Sequence, residues 1–323
     1  MPLRKFLLLS LLCVAPNVQA VQLLGIPQFI DEMVEKHQFQ RDTLEQAFEH
    51  AQYRATVINA ISQSAISKPW VEYRDAFVNI KRIKGGLQFW ARYANELHQT
   101  EQDFGVAQEI IVALIGIETQ YGHNSGKFTT LDTLATLAFD YRRRGSYFRS
   151  ELEQYLLLAR EQKFDLSRVQ GSYAGALGIP QFMPSSYRKY ALDYDLDGKT
   201  DLLGDPVDAI GSVANYLKQY GWEEGGLVAA RATVNDAASL GTAPALRTLG
   251  QWSEVRVNAD HPIISATPAR LIGFSVTEGK EFWFAFANFD VITRYNNSDY
   301  YAMAVFQLAT ALRAAHEQED TPH

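Results

Sequence analysis

The sequence contains one cysteine, Cys13, in 323 residues. A single cysteine cannot form an intramolecular disulfide, and it cannot supply the several thiolates of a cysteine-rich zinc site. The seven histidines show neither HxxxH nor HExxH spacing, so a histidine zinc site is not expected either. The sequence also lacks GxSxG, P-loop and GxGxxG motifs, which argues against the common serine hydrolases and nucleotide-binding proteins.

Positive charge is in the minority. Lys and Arg number 30 against 37 Asp and Glu, which gives a net charge of −7. Nucleic-acid-binding proteins are usually basic or carry a basic stripe, and neither feature is present, so nucleic acid is not an expected partner. With 47% hydrophobic residues, the chain can form a large core divided among two or three domains.

No apolar run is long enough to cross a bilayer, which takes roughly 20 residues. The apolar segment 6–14 follows two basic residues and precedes Val18-Gln19-Ala20. This order is typical of a secretory signal cleaved after Ala20, although a buried N-terminal helix is the alternative. Cys13 lies inside the segment, so the mature chain has no cysteine. A lipoprotein signal requires a small residue before the cysteine, and Leu12 is not small, so a soluble exported protein is favoured over a lipid-anchored one.

Apolar residues at intervals of three and four predict helices along most of the chain. At least four are expected between residues 22 and 102, with a break at Gly85-Gly86. Further helices are predicted at residues 109–119, 147–160, 206–220 and 300–315. Segments 270–276 and 281–286 alternate in the manner of strands and predict a β-hairpin, whereas 237–250 is ambiguous. The expected fold class is mainly α, with a small β component (α+β).

Glu118 is the first candidate for chemistry. It ends a strongly apolar helical segment, EIIVALIGIET, so its carboxyl group is expected to be poorly hydrated. Burial disfavours the charged form and raises a carboxyl pKa, which suits a general acid that works near neutral pH. The alternative is a glutamate that reaches solvent or pairs with an arginine.

A calcium-type loop is the second candidate. Asp193, Asp195, Asp197 and Gly198 match positions 1, 3, 5 and 6 of an EF-hand loop, and Lys199 would offer its backbone carbonyl at position 7. Position 12 departs from the pattern, because Gly204 stands where a bidentate glutamate is expected. The closing ligand is then Asp205 or Asp208, unless these two only begin the helix that follows.

Four strings resemble the lytic murein transglycosylase B family (glycoside hydrolase family 103): IGIETQYG, GSYAGALGIPQFMPSSY, DPVDAIGSVANYL and ITRYNNSDYYAMAV. They occur in the family's order, and the likeness extends over about residues 89 to 312. The resemblance implies a lysozyme-like helical core, a helical N-terminal domain and a small antiparallel β domain. It also implies cleavage of the MurNAc–GlcNAc bond of peptidoglycan without water, which leaves a 1,6-anhydro-MurNAc end.

The resemblance assigns roles to individual residues. Glu118 matches the catalytic acid/base, and Asp193, Asp195, Asp197, Lys199 and Asp208 match a metal loop that would hold structural Ca²⁺. No organic cofactor is expected. Positions that match contacts with the glycan or its peptide are Tyr73, Tyr121, Arg143, Arg144, Ser172, Gln181, Phe182, Tyr216, Tyr295, Asn296 and Tyr301. Arg143 and Arg144 would lie on the peptide side of the cleft.

A single carboxyl group suffices for the implied chemistry. Glycosidases that retain or invert configuration usually need two carboxyl groups, whereas here Glu118 would serve as acid and then as base. Two alternatives remain: a hydrolytic muramidase, and a non-catalytic, calcium-dependent wall-binding scaffold. The expected location is the periplasm, with an outer-membrane lipoprotein less favoured. The expected partners are peptidoglycan glycan strands, with unidentified enzymes of wall synthesis or remodelling as further candidates.

The expected organisation has five parts. Residues 1–20 form the signal peptide, 21–102 the N-terminal helical domain, and 103–222 the lysozyme-like core with its EF-hand-like loop. Residues 223–286 form the small β-containing domain, and 287–323 a segment and helix that return to the core.

Overall fold

A computed structural model describes residues 23–49, 51–64, 68–235 and 246–319. The predicted signal segment, its cleavage site and Cys13 lie outside the described residues, as does most of the ambiguous segment 237–250. The described chain is mainly helical with a small antiparallel sheet, which confirms the predicted fold class. Within it, no helix is long and apolar enough to cross a membrane.

Six helices form the N-terminal part of the described chain. They are α1 (Ile26–His37), α2 (Arg41–Glu49), α3 (Ala55–Ser64), α4 (Trp70–Phe77), α5 (Ile80–Arg92) and α6 (Ala94–Phe104). The predicted break at Gly85-Gly86 is wrong, because α5 continues through both glycines. A Cβ atom on Gly86 would lie 2.6 Å from the Tyr121 hydroxyl and 2.4 Å from Leu312 Cδ2, so this glycine leaves room for packing.

The central helix of the core is α7 (Gln108–Thr119), whose residues 110 to 117 are all buried. Such a helix is apolar on every side because neighbours surround it: α5, α6, α11 (Pro206–Gln219) and α14 (Asp299–Glu319) all contact it. The remaining core helices are α8 (Thr130–Asp140), α9 (Gly145–Gln162) and α10 (Pro184–Tyr190). Two short strands, β1 (Phe128–Thr129) and β2 (Gln170–Gly171), pair antiparallel beside them.

The second sheet has five antiparallel strands in the order β4-β6-β7-β3-β5. The predicted hairpin is confirmed as β6 (Pro268–Val276) and β7 (Gly279–Ala285). The other strands are β3 (Ala229–Val234), β4 (Leu246–Thr248) and β5 (Val257–Ala259), with α12 (Leu249–Glu254) following β4. Trp252 of α12 helps to cover one face, and Phe274 on the other stacks on Trp70 of α4, 4.5 Å between ring centroids.

The chain returns to the core through α13 (Ala287–Tyr295) and α14. Residues 301 to 305 of α14 are all buried, and the helix contacts α4, α5, α7 and α13. Its N-terminal turn therefore lies beside the C-terminal end of α7, where Glu118 is located.

Candidate active site

Glu118 is the penultimate residue of α7, and it is half-buried although the eight residues before it are buried. The helix ends in an unusual turn, with positive φ at Gln120 (52°), Tyr121 (64°) and Gly122 (86°). Left-handed residues commonly terminate helices, but two consecutive non-glycine residues there are rare. The buried Thr119 hydroxyl accepts a hydrogen bond from the Gly122 N–H at 3.0 Å and so stabilises the turn.

The Glu118 carboxyl group has two close electrostatic partners. The Tyr301 hydroxyl donates a hydrogen bond to Oε1 at 2.5 Å. Burial raises the pKa of Glu118 to about 7, while the Tyr301 hydrogen bond and the positive charge of Arg82 oppose the increase. No acidic side chain of the described chain is among the causes of this shift. Near neutral pH, the group is therefore able to hold a proton and also to release it.

Tyrosine side chains line the approach to Glu118. Burial raises the pKa of Tyr73 to about 12, and the charge of Glu118 and the neighbouring Tyr173 contribute to the increase. Tyr295 stacks on Tyr301 with 6.4 Å between centroids, and its hydroxyl donates to the Pro180 carbonyl at 2.5 Å. The pKa of Tyr295 is also raised, first by burial and then by Glu118. Tyr73, Tyr295 and Tyr301 therefore all lie close to the carboxyl group.

The ring contacts continue away from Glu118. The centroid of the Tyr216 ring lies 4.9 Å from that of Tyr295 and 4.6 Å from that of Tyr220. Tyr220 is 40% exposed. The Tyr216 hydroxyl donates to the Arg294 carbonyl at 2.6 Å. Phe182 is 2% exposed and packs between Tyr216 and Tyr295. The result is a continuous aromatic path from the acid to the surface, with Phe182 in its interior.

The glycine-rich loop before α10 has side chains that hold its own backbone. Ser172 Oγ accepts hydrogen bonds from the N–H groups of Ala174 and Ala176 at 3.2 and 3.1 Å. Gln181 has a φ of 52°, and its Nε2 donates to the carbonyls of Ser125 and Gly178, both at 2.9 Å. The structure thus uses the Ser172 hydroxyl and the Gln181 amide nitrogen to shape the loop.

This loop is fastened to the end of α7. Thr119 Oγ1 donates to the Ile179 carbonyl at 2.8 Å, and the Ile179 N–H donates to the Leu202 carbonyl at 2.8 Å. Leu202 lies inside the predicted metal loop, two residues before Gly204. A short series of hydrogen bonds therefore joins the metal loop, the glycine-rich loop and the residue next to Glu118.

Two other predicted contact residues, Tyr121 and Arg144, have partners other than Glu118. The Tyr121 hydroxyl donates to the Arg82 carbonyl at 2.8 Å, and its ring packs on Gly116, which places it beneath the turn. Arg143 and Arg144 are exposed, and the Arg144 guanidinium lies 4.2 Å from the centroid of the Tyr147 ring.

Asn296 is exposed and ends α13. It directly follows Tyr295, so it lies at the edge of the tyrosine-lined surface.

Sequence reasoning missed Arg82 as a neighbour of Glu118 and did not assign a role to Tyr173. Arg82 belongs to α5, and its Nη1 donates to the carbonyl of Gly116 in the last turn of α7. No spacing in the sequence connects Arg82 with Gly116, 34 residues later on another helix. Tyr173 belongs to the segment GSYAGALGIPQFMPSSY and directly follows Ser172, a predicted glycan contact. That adjacency could have indicated its place near the site.

The predicted metal loop brings its carboxylates together. Ligand atoms of Asp193, Asp195 and Asp197 all lie within 4.8 Å of one another, and Gly198 has a φ of 89°. Converging carboxylate oxygens on a tight turn are the donor set that a hard cation such as Ca²⁺ prefers. Without a cation, the negative charges of half-buried Asp193 and of exposed Asp195 and Asp197 would repel one another at this separation. The residues present therefore fit a calcium ion.

Asp208 and Asp205 differ in their roles. Asp208 is 1% exposed and accepts hydrogen bonds from the N–H groups of Tyr194 and Asp201, both at 2.7 Å. Burial raises its pKa, and nearby Asp205 and Asp195 add to the increase. Asp205 is the N-cap of α11 and accepts from the Val207 N–H at 2.7 Å. Of the two candidates, Asp208 therefore faces the loop. Lys199, whose carbonyl is the predicted ligand at position 7, belongs to the same loop, because its N–H donates to Asp197 Oδ1 at 2.8 Å.

Known proteins share this architecture. Solved structures of the Escherichia coli lytic transglycosylase Slt35, one in complex with calcium, are 41% identical to this chain. The calcium complex covers 91% of this chain and 94% of its own, with a TM-score of 0.85. SltB3 from Pseudomonas aeruginosa, in complex with NAG-NAM-pentapeptide, is 29% identical with a TM-score of 0.79 and covers 89% of this chain and 79% of its own.

Sequence comparisons agree. The chain is 41% identical over 308 residues to membrane-bound lytic murein transglycosylase B of E. coli (strain K12), covering 90% of this chain and 83% of that protein. A family model described as the transglycosylase SLT domain matches residues 25–310. The chain therefore belongs to the transglycosylase SLT domain family of lytic murein transglycosylases.

Proposed function

We propose that this protein cleaves the MurNAc–GlcNAc bond of peptidoglycan strands without water and leaves a 1,6-anhydro-MurNAc end. The observation that carries the proposal is a single half-buried acid, Glu118, whose pKa of about 7 allows it to donate and then accept a proton. A family relationship to lytic murein transglycosylases supports the same conclusion.

In the first step, protonated Glu118 donates its proton to the glycosidic oxygen while the bond from that oxygen to the MurNAc anomeric carbon breaks. The GlcNAc side leaves as an alcohol, and Glu118 becomes a carboxylate. The positive anomeric carbon needs an electron donor, and the substrate's own acetamido oxygen can supply one. This assignment fits a site whose acid has no acidic neighbour among the causes of its pKa shift.

In the second step, the MurNAc 6-hydroxyl attacks the anomeric carbon and displaces the acetamido oxygen. Glu118, now a carboxylate, accepts the hydroxyl proton and returns to its starting state. Acid and base can be one group because the demand for a proton reverses between the steps. Attack by a hydroxyl of the same sugar requires orientation and no captured water molecule.

The surrounding residues would bind and orient the glycan. Tyrosine rings present flat, partly apolar surfaces with a polar edge, which suits sugar rings. Tyr73, Tyr295 and Tyr301 lie nearest the acid, and Tyr216 continues the path. The remaining predicted contacts would come from Tyr121, Ser172, Gln181, Phe182 and Asn296.

Arg143 and Arg144 would bind carboxylates of the peptide stems. Guanidinium groups bind carboxylates in a bidentate manner, and both arginines are exposed in a chain with a net charge of −7. Arg144 also lies 4.2 Å from Tyr147, whose ring is 37% exposed, so a sugar contact and a carboxylate contact are available side by side.

A calcium ion would be held by Asp193, Asp195, Asp197, the Lys199 carbonyl and Asp208. Its contribution would be to neutralise these carboxylates and to fix the segment before α11. The hydrogen bonds that Ile179 N–H donates to the Leu202 carbonyl and Thr119 Oγ1 donates to the Ile179 carbonyl then support the loop beside the active site. No proton transfer requires the ion.

The location follows from the substrate. A signal segment at residues 1–20 would export the chain to the periplasm, where peptidoglycan is located. The mature protein would be soluble there, since the sequence before Cys13 does not match a lipoprotein signal.

Digestion of purified peptidoglycan tests the proposal. Wild-type protein should release anhydro-muropeptides, which are lighter by one water than hydrolytic products in mass spectrometry. Glu118→Gln should release none, while Glu109→Gln, at the other end of α7, should release the wild-type products. Hydrated products from wild type would indicate a muramidase. The absence of any product from folded wild type would favour a wall-binding scaffold.

A further inference from the structure

Arg82 connects α5, one of the N-terminal helices, to the C-terminal end of α7, the helix that carries Glu118. It lies in the first turn of α5, where the Asn79 side chain accepts a hydrogen bond from its N–H at 3.1 Å. Its Nη1 donates to the Gly116 carbonyl and also approaches the Ile117 carbonyl at 3.5 Å. These carbonyls belong to the last turn of α7, immediately before Glu118.

Three further features hold the arginine in place. The Tyr121 hydroxyl donates to the Arg82 carbonyl at 2.8 Å, so the turn after α7 contacts the backbone of the same residue. The guanidinium carbon lies 5.2 Å from the centroid of Phe77. The side chain is half-buried. Arg82 is thus held by Phe77 of α4 and by Tyr121 in the turn after α7, unlike an arginine that is surrounded by solvent.

The position has an electrostatic consequence. The C-terminal end of a helix carries a partial negative charge from its unpaired carbonyls, which disfavours a carboxylate there. A cation near this end of the helix offsets the effect. Arg82 provides one, bound to the Gly116 carbonyl, which also accepts a hydrogen bond from the Gln120 N–H at 3.1 Å. A partly desolvated site strengthens the attraction between opposite charges. The charge of Arg82 lowers the pKa of Glu118, against the larger effect of burial.

Groups from each neighbouring element face Glu118 as well. Tyr301 of α14 donates to it, Tyr295 of α13 and Tyr73 of α4 lie within its electrostatic reach, and Arg82 approaches from α5. The tyrosines are neutral around pH 7. Within the described part of the chain, Arg82 is therefore the charged side chain that acts on the acid.

We propose that Arg82 is a positioning residue for Glu118: it holds the last turn of α7 by its carbonyls and supplies the positive charge that stabilises the carboxylate formed after the first proton transfer. This role rests on the proposed function of Glu118 as acid and then base. In this role Arg82 acts through Glu118 and the last turn of α7 rather than on the substrate.

Two substitutions separate charge from hydrogen bonding. Arg82→Gln removes the charge, and the pH at which kcat/KM declines on the alkaline side should move upward by about one unit. The value of kcat should fall roughly tenfold or more, because the base is harder to form. Arg82→Lys keeps the charge, so its pH profile should stay near that of wild type even if kcat falls. Arg92→Gln, an exposed position at the other end of α5, is the control.

A titration of Glu118 that does not depend on turnover completes the test. The ¹³C-carboxyl signal of Glu118, identified by its absence in Glu118→Gln, should titrate at a higher pH in Arg82→Gln than in wild type. An equal pKa of Glu118 in Arg82→Gln and in wild type would overturn the proposal. If Arg82→Gln then differed from wild type only by a lower melting temperature, the role of Arg82 would be purely structural. If wild-type digestion yields no anhydro product but the titration shifts, the proposed function fails and the electrostatic role of Arg82 stands.

Discussion

The hydroxyl group of Tyr301 donates a hydrogen bond to Glu118 Oε1 across 183 residues of sequence. Helix α14 returns from the sheet to bring the tyrosine to the end of α7. A hydrogen bond to the ionised carboxylate favours that form, so Tyr301 moderates the effect of burial on the acid. The proton affinity of Glu118 therefore depends on the C-terminal helix as well as on its own.

Replacing Tyr301 with phenylalanine should raise the pKa of Glu118, since the hydrogen bond that lowers it is removed. The alkaline limb of the kcat/KM profile should move to higher pH, and kcat should fall about tenfold or less. Tyr300→Phe, at the adjacent position, is the matched control and should keep the wild-type limb. A limb that moves to lower pH in Tyr301→Phe would contradict this account.

The wild-type enzyme should lose activity as the pH rises through about 7. Only protonated Glu118 can donate to the glycosidic oxygen, and burial raises its pKa to about 7. The measurement is kcat/KM on peptidoglycan between pH 5 and 9 at constant ionic strength. Full activity retained at pH 9 would show that another group supplies the proton.

Glu118→Gln should stabilise the protein at alkaline pH. The native carboxyl has a pKa of about 7 against an ordinary value of 4.5, so the native state binds the proton more tightly. Wild-type stability therefore falls as the pH rises from about 4.5 through 7, and the substitution removes this loss. At pH 8, the gain should be roughly 1–3 kcal/mol, seen as a higher melting temperature.

The gain from Glu118→Gln should disappear at pH 4, where both states are protonated. Glu35→Gln, an exposed position on α1, should show no such pH-dependent gain. An equal change in melting temperature at pH 4 and pH 8 would mean that burial does not perturb this carboxyl.

Gly86→Ala should destabilise the fold by about 1–3 kcal/mol in denaturant unfolding. The added methyl group would meet the Tyr121 hydroxyl, which is bound to Arg82, and Leu312 of α14. This clash should outweigh the gain in helix propensity, about 1 kcal/mol. Lys84→Ala, exposed on the same helix, should have little effect. Increased stability in Gly86→Ala would show that Tyr121 is free to move.

Chelation of calcium should lower the melting temperature more than it lowers turnover at low temperature. The ion would neutralise Asp193, Asp195 and Asp197, and its loss leaves three carboxylates within 4.8 Å. Asp195→Asn should bind the ion more weakly and respond less to chelator, whereas Asp165→Asn should respond as wild type does. Identical melting curves of wild type with and without chelator would remove the metal from the account.

Local patterns were sufficient for much of the fold. The apolar run before Glu118 predicts α7 to within a residue, and the spacing of Asp193, Asp195 and Asp197 predicts a loop whose carboxylates converge. Both features depend on contacts between residues close in sequence. The prediction of a helix break at Gly85-Gly86 also used local sequence alone, because glycine often ends a helix. The ring that needs this space comes from Tyr121, which lies far from the pair in sequence.

What the sequence determined by itself is the series of helices, the hairpin, the acidic loop and a poorly hydrated acid at a helix end. Only the tertiary structure decided which groups set the proton affinity of that acid. Tyr301 and Arg82 come from helices far from it in sequence, Arg82 from α5 before α7 and Tyr301 from α14 near the end of the chain. Periodicity and spacing act over a few residues, whereas the pKa of a buried carboxyl depends on every charge and dipole that packing brings within a few ångströms.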